Sequence, residues 1–260
     1  MQKMRTRAGQ PRVLPLRVAW LDRQRGVAIL LMIVYHFSFD LDQYRYIRQD
    51  FNEDPRWLAF RALIVCLFMS ALGASVALAY PARVDPRKLI SRQVRLGLAC
   101  IAVTLGSAWM FPASFIWFGI LHFAWLATLL ALPLRGLGWP LLPLAAVVAW
   151  LGNARGAAIF DTPWLGWIGL MTHKPITEDY VPLLPWFAAV LVGLYAAPFF
   201  QRHARKHPQR PAPADGSPAL SLRADGALRQ VGRRTLLIYL LHQPILIGLL
   251  EIAQRARPAG

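Results

Sequence analysis

Charged residues and cysteines are scarce in this 260-residue chain. Only 16% of the residues are charged while 56% are hydrophobic, and the mean hydropathy is +0.39. These values exclude an ordinary soluble domain of this length. Both cysteines, Cys66 and Cys100, fall inside apolar segments, so the sequence predicts neither a disulfide framework nor a metal site.

Long apolar segments dominate what is present, and they predict an all-α, polytopic transmembrane helical bundle. There are seven of them, at 22–41, 57–80, 93–111, 115–134, 139–152, 183–200 and 234–252. The fifth is short for a span, so a tilted or re-entrant segment remains an alternative there. We therefore expect about seven spans.

Basic residues outnumber acidic residues by 29 to 13, and their placement alternates along the chain. The N-terminal segment and every second connection carry 21 of the 29 basic residues but only 4 of the 13 acidic ones. The positive-inside rule then predicts a cytoplasmic N-terminus, with the first helix as a signal anchor. Nucleic acid is not an expected partner, because the basic residues are not gathered on one folded face.

The expected organisation is a single membrane domain with short ends. The domain spans 18–252, and a flexible cytoplasmic loop rich in Pro, Ala and Arg is predicted within it at 202–230. A basic cytoplasmic tail at 1–17 precedes the domain, and a short tail at 253–260 follows it.

The first apolar segment carries a polar stripe. Eleven residues separate Arg25 from His36, which is about three helical turns, so both share one face roughly 16 Å apart. Asp40 follows His36 by four residues, so it either fixes the imidazole tautomer or lies in water at the interface. Asp22 and Arg25 are spaced to form an ion pair at the start of the helix, or Asp22 favours the positive N-terminal end of the helix dipole.

Three histidines lie within predicted spans: His36, His122 and His242. An ionisable residue inside a membrane indicates a functional site, because a charge there is costly. A histidine avoids that cost by staying neutral, and a neutral imidazole is a usable base. The alternative is a packing residue that hydrogen bonds to a neighbouring helix.

Arginines cluster at the predicted cytoplasmic helix ends: Arg23, Arg25, Arg92, Arg95, Arg233 and Arg234. Either these arginines only reflect the positive-inside rule, or two or three of them bind the phosphates of a nucleotide-like donor. On the other side, the connection 153–182 contains Trp164, Trp167 and Asp179. It forms either a polar, aromatic-lined mouth or an interfacial aromatic belt.

Four blocks of the sequence resemble the heparan-alpha-glucosaminide N-acetyltransferase catalytic domain family. They are LDRQRGVAILLMIVYHFSFDL (21–41), FIWFGILHFAWLATLL (115–130), DYVPLLPWFAAVLVGL (179–194) and GRRTLLIYLLHQPIL (232–246). The spacing of Arg25 and His36 also resembles the signature of the acyltransferase-3 family of membrane acyltransferases. In the animal lysosomal enzyme the proposed catalytic histidine follows the first helix. The matching region here, 42–56, has no histidine, so an acetyl-histidine intermediate does not carry over.

The resemblance implies an acyltransferase of the bacterial inner membrane that moves an acetyl group from cytoplasmic acetyl-CoA to a glycan or other envelope acceptor at the outer face. The membrane lipid and acyl-CoA are thus the expected partners, no metal is expected, and a homo-oligomer is left open. The candidate catalytic residues are His36 as general base, Asp40, His122 and His242. The candidate donor-binding residues are Asp22, Arg25, Arg233 and Arg234, and the candidate acceptor-binding residues are Asp179 and Gln243. The alternatives are a proton-coupled small-molecule transporter and a non-catalytic membrane protein.

Overall fold

Helices follow one another along the chain, with no β-strand in the part that the structure describes. The structure is a computed structural model and describes residues 18–81, 83–206 and 220–256. Within these residues there are eight α-helices: α1 (Ala19–Gln43), α2 (Pro55–Ala79), α3 (Pro86–Met110), α4 (Ile120–Leu134), α5 (Leu141–Gly152), α6 (Leu183–Lys206), α7 (Leu220–Arg233) and α8 (Thr235–Arg255). Two short 3-10 turns, Ala158–Phe160 and Gly166–Ile168, lie between α5 and α6.

An Asp-Pro pair starts both α2 and α3. The Asp54 side chain accepts a hydrogen bond of 2.9 Å from the backbone N–H of Arg56, and the Asp85 side chain accepts one of 3.0 Å from that of Arg87. The proline that follows each aspartate has no N–H and a backbone angle that suits the first helical turn. These pairs therefore fix where the two helices begin.

Five helices, α1, α2, α3, α6 and α8, are long and apolar enough to cross a membrane. The apolar helices α4 and α5 have only 15 and 12 residues. Each of the seven predicted apolar segments overlaps one of these seven helices, so the prediction of an all-helical membrane protein is confirmed. The count of seven spans and the cytoplasmic N-terminus stay predictions.

Glycines let α2 and α6 pack closely together. A Cβ atom at Gly73 would lie 2.0 Å from the Val190 carbonyl oxygen, and one at Gly193 would lie 2.0 Å from the Ser70 carbonyl oxygen. No larger residue fits at either point, which is how small residues bring membrane helices together. α4 packs against both of these helices and α5 packs against α6, and Phe123 is among the side chains fully buried in the core that they share.

α1 lies against α2 on one side and against α7 and α8 on the other. Its apolar residues Ile29, Met32 and Tyr35 pack with Phe51 and Ile64. The apolar side chains of α1 therefore pack on α2 and on the loop before it, and the part of the polar stripe at His36 and Asp40 lies beside α8.

The prediction of a flexible loop over 202–230 was wrong for both ends of that range. α6 continues to Lys206, and the residues from Leu220 to Arg233 form the helix α7. The middle of the range, 207–219, lies outside the described residues, as does the predicted tail at 1–17. α7 has a polar face and an apolar face, so its mean hydropathy is lower than that of a membrane span. Its sequence therefore does not stand out as an apolar segment.

Candidate active site

Two of the three predicted histidines come together in the bundle. The ring centroids of His36 on α1 and His242 on α8 are 5.0 Å apart, with the rings at 65° to each other. His36 is partly buried and His242 is 9% exposed. Helix geometry puts His36 about 16 Å along the α1 axis from Arg25, so this pair lies well inside the bundle.

Asp40 is bound to Gln243 rather than to His36. The Gln243 side-chain amide donates a hydrogen bond of 2.7 Å to Asp40 Oδ1. Asp40 is only 4% exposed. The expectation that Asp40 fixes the His36 tautomer was therefore wrong, and so was the alternative of an aspartate in water. The hydrogen-bond donor to Asp40 comes from α8 and not from its own helix.

His242 makes a hydrogen bond to its own helix. Its Nδ1 lies 2.7 Å from the Tyr239 carbonyl oxygen. The other ring nitrogen, Nε2, is buried and has no hydrogen-bond partner among the described residues, and the same is true of Asp40 Oδ2 and Gln243 Oε1. Unpartnered polar atoms are costly inside a protein, so each of these atoms is suited to a contact with a polar ligand.

His122 lies apart from the other two histidines, at the beginning of α4. Its Nδ1 accepts a hydrogen bond of 3.3 Å from the Gly119 backbone N–H, and its Nε2 lies 3.1 Å from Thr104 Oγ1. That hydroxyl donates in turn to the Ile116 carbonyl oxygen at 2.8 Å. Both ring nitrogens are occupied, which favours a structural role for His122 over the predicted catalytic one.

At the end of the bundle where α1 begins, Asp22 forms an ion pair with Arg233. The Arg233 Nε and Asp22 Oδ2 atoms are 3.1 Å apart, and Asp22 is 7% exposed. The predicted pair of Asp22 with Arg25 was wrong, because Arg25 instead donates to the Ser75 hydroxyl on α2. Arg234 is exposed at the first position before α8.

Positive charge accumulates at this same end. Arg25 and Arg92 are close enough to repel each other, and Arg95 adds to the repulsion. Repulsion among fixed guanidinium groups is relieved by a bound anion, and phosphate suits them best because it accepts two parallel hydrogen bonds from one guanidinium. Arg23 is already paired with Asp225 of α7.

At the opposite end of the bundle, Asp179 connects the start of α4 to α8. Its Oδ2 accepts hydrogen bonds of 2.8 Å from the Ile120 backbone N–H and 3.1 Å from the Tyr239 hydroxyl. Burial raises the pKa of the Asp179 carboxyl, against the opposing effects of these two hydrogen bonds and of the positive charge of Arg61. Asp179 is thus held beside the helix that carries His242.

The connection 153–182 lies across this end. The Lys174 ammonium donates a hydrogen bond of 2.9 Å to the Asn52 side chain, and the Glu178 backbone N–H donates one of 2.8 Å to the Ser114 carbonyl oxygen. These contacts join the connection to the loops before α2 and α4. Trp164 is 86% exposed, which fits an interfacial aromatic belt better than the lining of a mouth.

Three residues of the site were missed from sequence. Tyr239 joins His242 to Asp179, and its position one helical turn before His242 is a signal that was available. Arg61 acts electrostatically on Asp179 and on Tyr35 of α1, and its position in the second apolar segment is a signal that was available. Ser75, the partner of Arg25, carries no signal in an apolar segment.

The described residues contain no group of three or more His, Cys, Asp and Glu side chains that could hold a metal ion. The family model described as "Heparan-alpha-glucosaminide N-acetyltransferase, catalytic" matches residues 17–244. No curated protein and no solved structure matches the chain. The matched range includes every candidate residue described above.

Proposed function

The chain belongs to the heparan-alpha-glucosaminide N-acetyltransferase catalytic family, and from that premise we propose that it transfers an acetyl group across a membrane. The donor is acetyl-CoA on the cytoplasmic side, and the acceptor is a glycan or other envelope molecule at the outer face. The membrane is the bacterial inner membrane, with the N-terminus of the chain in the cytoplasm.

One observation carries this proposal: polar groups form a line through an otherwise apolar bundle. Arg25 and Arg233 lie where α1 begins, the pair of His36 and His242 lies between α1 and α8, and Asp179 binds Tyr239 one helical turn from His242. Polar groups inside a membrane bundle cost free energy and mark paths for substrates or protons. A path with a basic end, an imidazole interior and an acidic far end suits a phosphate-bearing donor and a transfer reaction.

In the proposed reaction, the CoA phosphates are held by the basic end, where Arg25, Arg233 and Arg234 supply guanidinium groups. The thioester extends inward to the histidine pair. An acceptor hydroxyl or amine, positioned by Asp179 and Gln243, attacks the thioester carbonyl while an imidazole removes its proton. The bond from carbon to sulfur breaks, and the proton leaves with the CoA thiol. General-base help of this kind contributes about 10²- to 10⁴-fold in rate.

Binding of acetyl-CoA to the purified protein in detergent tests the donor side. Calorimetric titration is expected to show saturable binding that weakens about tenfold in Arg233→Gln, the loss expected for one charge-assisted phosphate contact. Arg155→Gln is the matched control, because Arg155 is an exposed arginine in the connection after α5. An absence of acetyl-CoA binding to the parent protein would overturn the donor assignment.

Reconstitution separates this function from the transporter alternative. Proteoliposomes loaded with glucosamine and given labelled acetyl-CoA outside are expected to accumulate labelled N-acetylglucosamine inside. Exchange of labelled glucosamine across the bilayer without any acetyl-CoA would instead favour a carrier, in which the same histidines relay protons.

A further inference from the structure

The tautomer of His242 can be read from its hydrogen bond. Nδ1 lies 2.7 Å from the Tyr239 carbonyl oxygen, and a carbonyl oxygen only accepts. The proton of the neutral imidazole must therefore be on Nδ1. Nε2 then carries the lone pair, and it is the basic nitrogen of this side chain.

The basic nitrogen of His242 is buried and has no partner within the described part of the chain. Asp40 Oδ2 and Gln243 Oε1 share this condition, and their residues are joined by the hydrogen bond from Gln243 to Asp40. All three are acceptor atoms when Asp40 is ionised, because the Gln243 amide nitrogen is already used. A buried acceptor without a donor, such as His242 Nε2, suits a ligand group that brings its own proton.

His36 differs from its neighbour in this respect. It contacts the rings of Tyr35 and His242, at centroid distances of 5.8 and 5.0 Å. Within residues 18–81, 83–206 and 220–256, no hydrogen bond fixes which nitrogen of His36 carries the proton. The structure therefore fixes the tautomer of His242 only. His36, the histidine that resembles the acyltransferase-3 signature, has no such hydrogen bond among the described residues.

We propose that His242, rather than His36, is the general base of the acetyl transfer. This inference rests on the proposed function and specifies which imidazole removes the acceptor proton. The proton of the acceptor hydroxyl or amine passes to His242 Nε2. At the same time the lone pair of that acceptor oxygen or nitrogen forms the bond to the thioester carbon. The electron pair of the carbon–sulfur bond leaves with the sulfur, and His242 returns the proton to that thiolate. The products are the acetylated acceptor and free CoA thiol.

Substitution by asparagine gives a sharp test. The amide nitrogen of Asn can occupy the position of Nδ1 and keep the hydrogen bond to Tyr239, whereas nothing replaces Nε2. His242→Asn is therefore expected to fold and to bind acetyl-CoA, while the release of thiol from acetyl-CoA with glucosamine as acceptor falls about 10²- to 10⁴-fold. The exposed His173 supplies the control variant His173→Gln, which should retain the parental rate.

The comparison with His36→Gln decides between the two imidazoles. We expect its rate to fall by no more than about tenfold, the smaller loss that follows when a neighbouring group rather than the base is removed. The proposal is overturned if His242→Asn keeps a rate close to that of the parent protein. It is equally overturned if His36→Gln is inactive while His242→Asn retains more than about a tenth of the rate.

Nitrogen-15 NMR of histidine-labelled protein provides a readout that needs no activity. The His242 signals, assigned by comparison with His242→Asn, are expected to show a protonated Nδ1 and a bare Nε2. His122 is an internal reference, because its contacts with Gly119 and Thr104 require the opposite tautomer. A protonated Nε2 on His242 would overturn the inference. An inactive parent protein with the expected His242 tautomer would instead overturn the proposed function.

Discussion

The Gln243 side chain on α8 donates a hydrogen bond of 2.7 Å to the buried carboxylate of Asp40 on α1. The two residues are 203 positions apart in the chain, and the carboxylate is 4% exposed. This hydrogen bond joins α1 to α8 beside the candidate site. It also sets the orientation of the amide, so that Gln243 Oε1 is directed away from Asp40 as a second acceptor.

Removing the Gln243 amide should destabilise the protein. In Gln243→Leu the shape is largely kept, but the buried Asp40 carboxylate loses its donor. We expect the free energy of unfolding to fall by about 1 to 3 kcal/mol, the usual cost of an unsatisfied buried acceptor. Thermal unfolding in detergent measures this. Gln254→Leu, at the exposed end of α8, is the control, and an equal loss in both variants would contradict the prediction.

The contact of α7 with α1 should depend on one of two glycines in α7. A Cβ atom at Gly232 would lie 1.8 Å from the Asp22 carbonyl oxygen, whereas one at Gly226 would have nothing within 4 Å. Gly232→Ala should therefore lower the free energy of unfolding by about 1 to 3 kcal/mol through overpacking. Gly226→Ala should raise it by about 0.5 to 1 kcal/mol through helix propensity. Chemical unfolding of both variants tests the difference, and the same sign in both would refute it.

The attachment of α7 should weaken in acid. The hydrogen bond from Arg23 lowers the pKa of the Asp225 carboxyl, and Arg229 adds a further contact at 3.1 Å. A carboxyl with a lowered pKa contributes stability above its unfolded pKa, and this stability is lost as the pH falls through its folded pKa. Asp225→Asn should thus melt about 2 °C below the parent protein at pH 7.

The same comparison at low pH provides the check. As the pH falls through the lowered pKa of Asp225, the carboxyl of the parent protein also becomes neutral, so the two melting temperatures should converge. A difference that persists unchanged from pH 7 to pH 3 would show that the variant acts through packing and not through charge.

The sequence was sufficient for the helices of the bundle, because apolar length is a local property. Each of the seven apolar segments overlaps a helix, and the Asp-Pro pairs at Asp54 and Asp85 mark two of the starts. The helix α7 was missed because half of its surface is polar. Its stability comes from packing on α1 at Gly26, and no local pattern in 220–233 reveals that distant contact.

The partners within the candidate site could not be predicted in the same way. Spacing along α1 correctly put Arg25, His36 and Asp40 on one helix face. It then suggested partners on that same helix, whereas the actual partners of Asp22 and Asp40 are Arg233 and Gln243 on other elements. A helix face tells which side chains point together, but the neighbouring helix decides which of them form bonds.

The donor end should control the affinity for acetyl-CoA. Arg233 is partly used by Asp22, and the side chain of Arg233 remains 37% exposed, so a phosphate can reach it. Arg233→Gln should raise KM for acetyl-CoA about tenfold, because it loses one charge-assisted contact, with the KM for glucosamine nearly unchanged. Initial rates at varied concentrations of each substrate measure this. An increase confined to the KM for glucosamine would contradict the assignment.

Asp179 should control the reaction with the acceptor and not the affinity for acetyl-CoA. In Asp179→Asn the amide oxygen can still accept from the Ile120 backbone N–H, so the start of α4 is kept, but the negative charge beside Tyr239 is lost. We expect kcat/KM for glucosamine to fall about tenfold or more while KM for acetyl-CoA stays near the parental value. Asp161→Asn, which changes a carboxylate in the outer part of the connection before α6, is the matched control. Because Arg233 and Asp179 have different partners, Asp22 and Tyr239, a site that binds both substrates at one place would give parallel changes in the Arg233 and Asp179 variants. A path through the bundle instead requires that the Arg233 variant changes KM for acetyl-CoA and that the Asp179 variant changes kcat/KM for glucosamine.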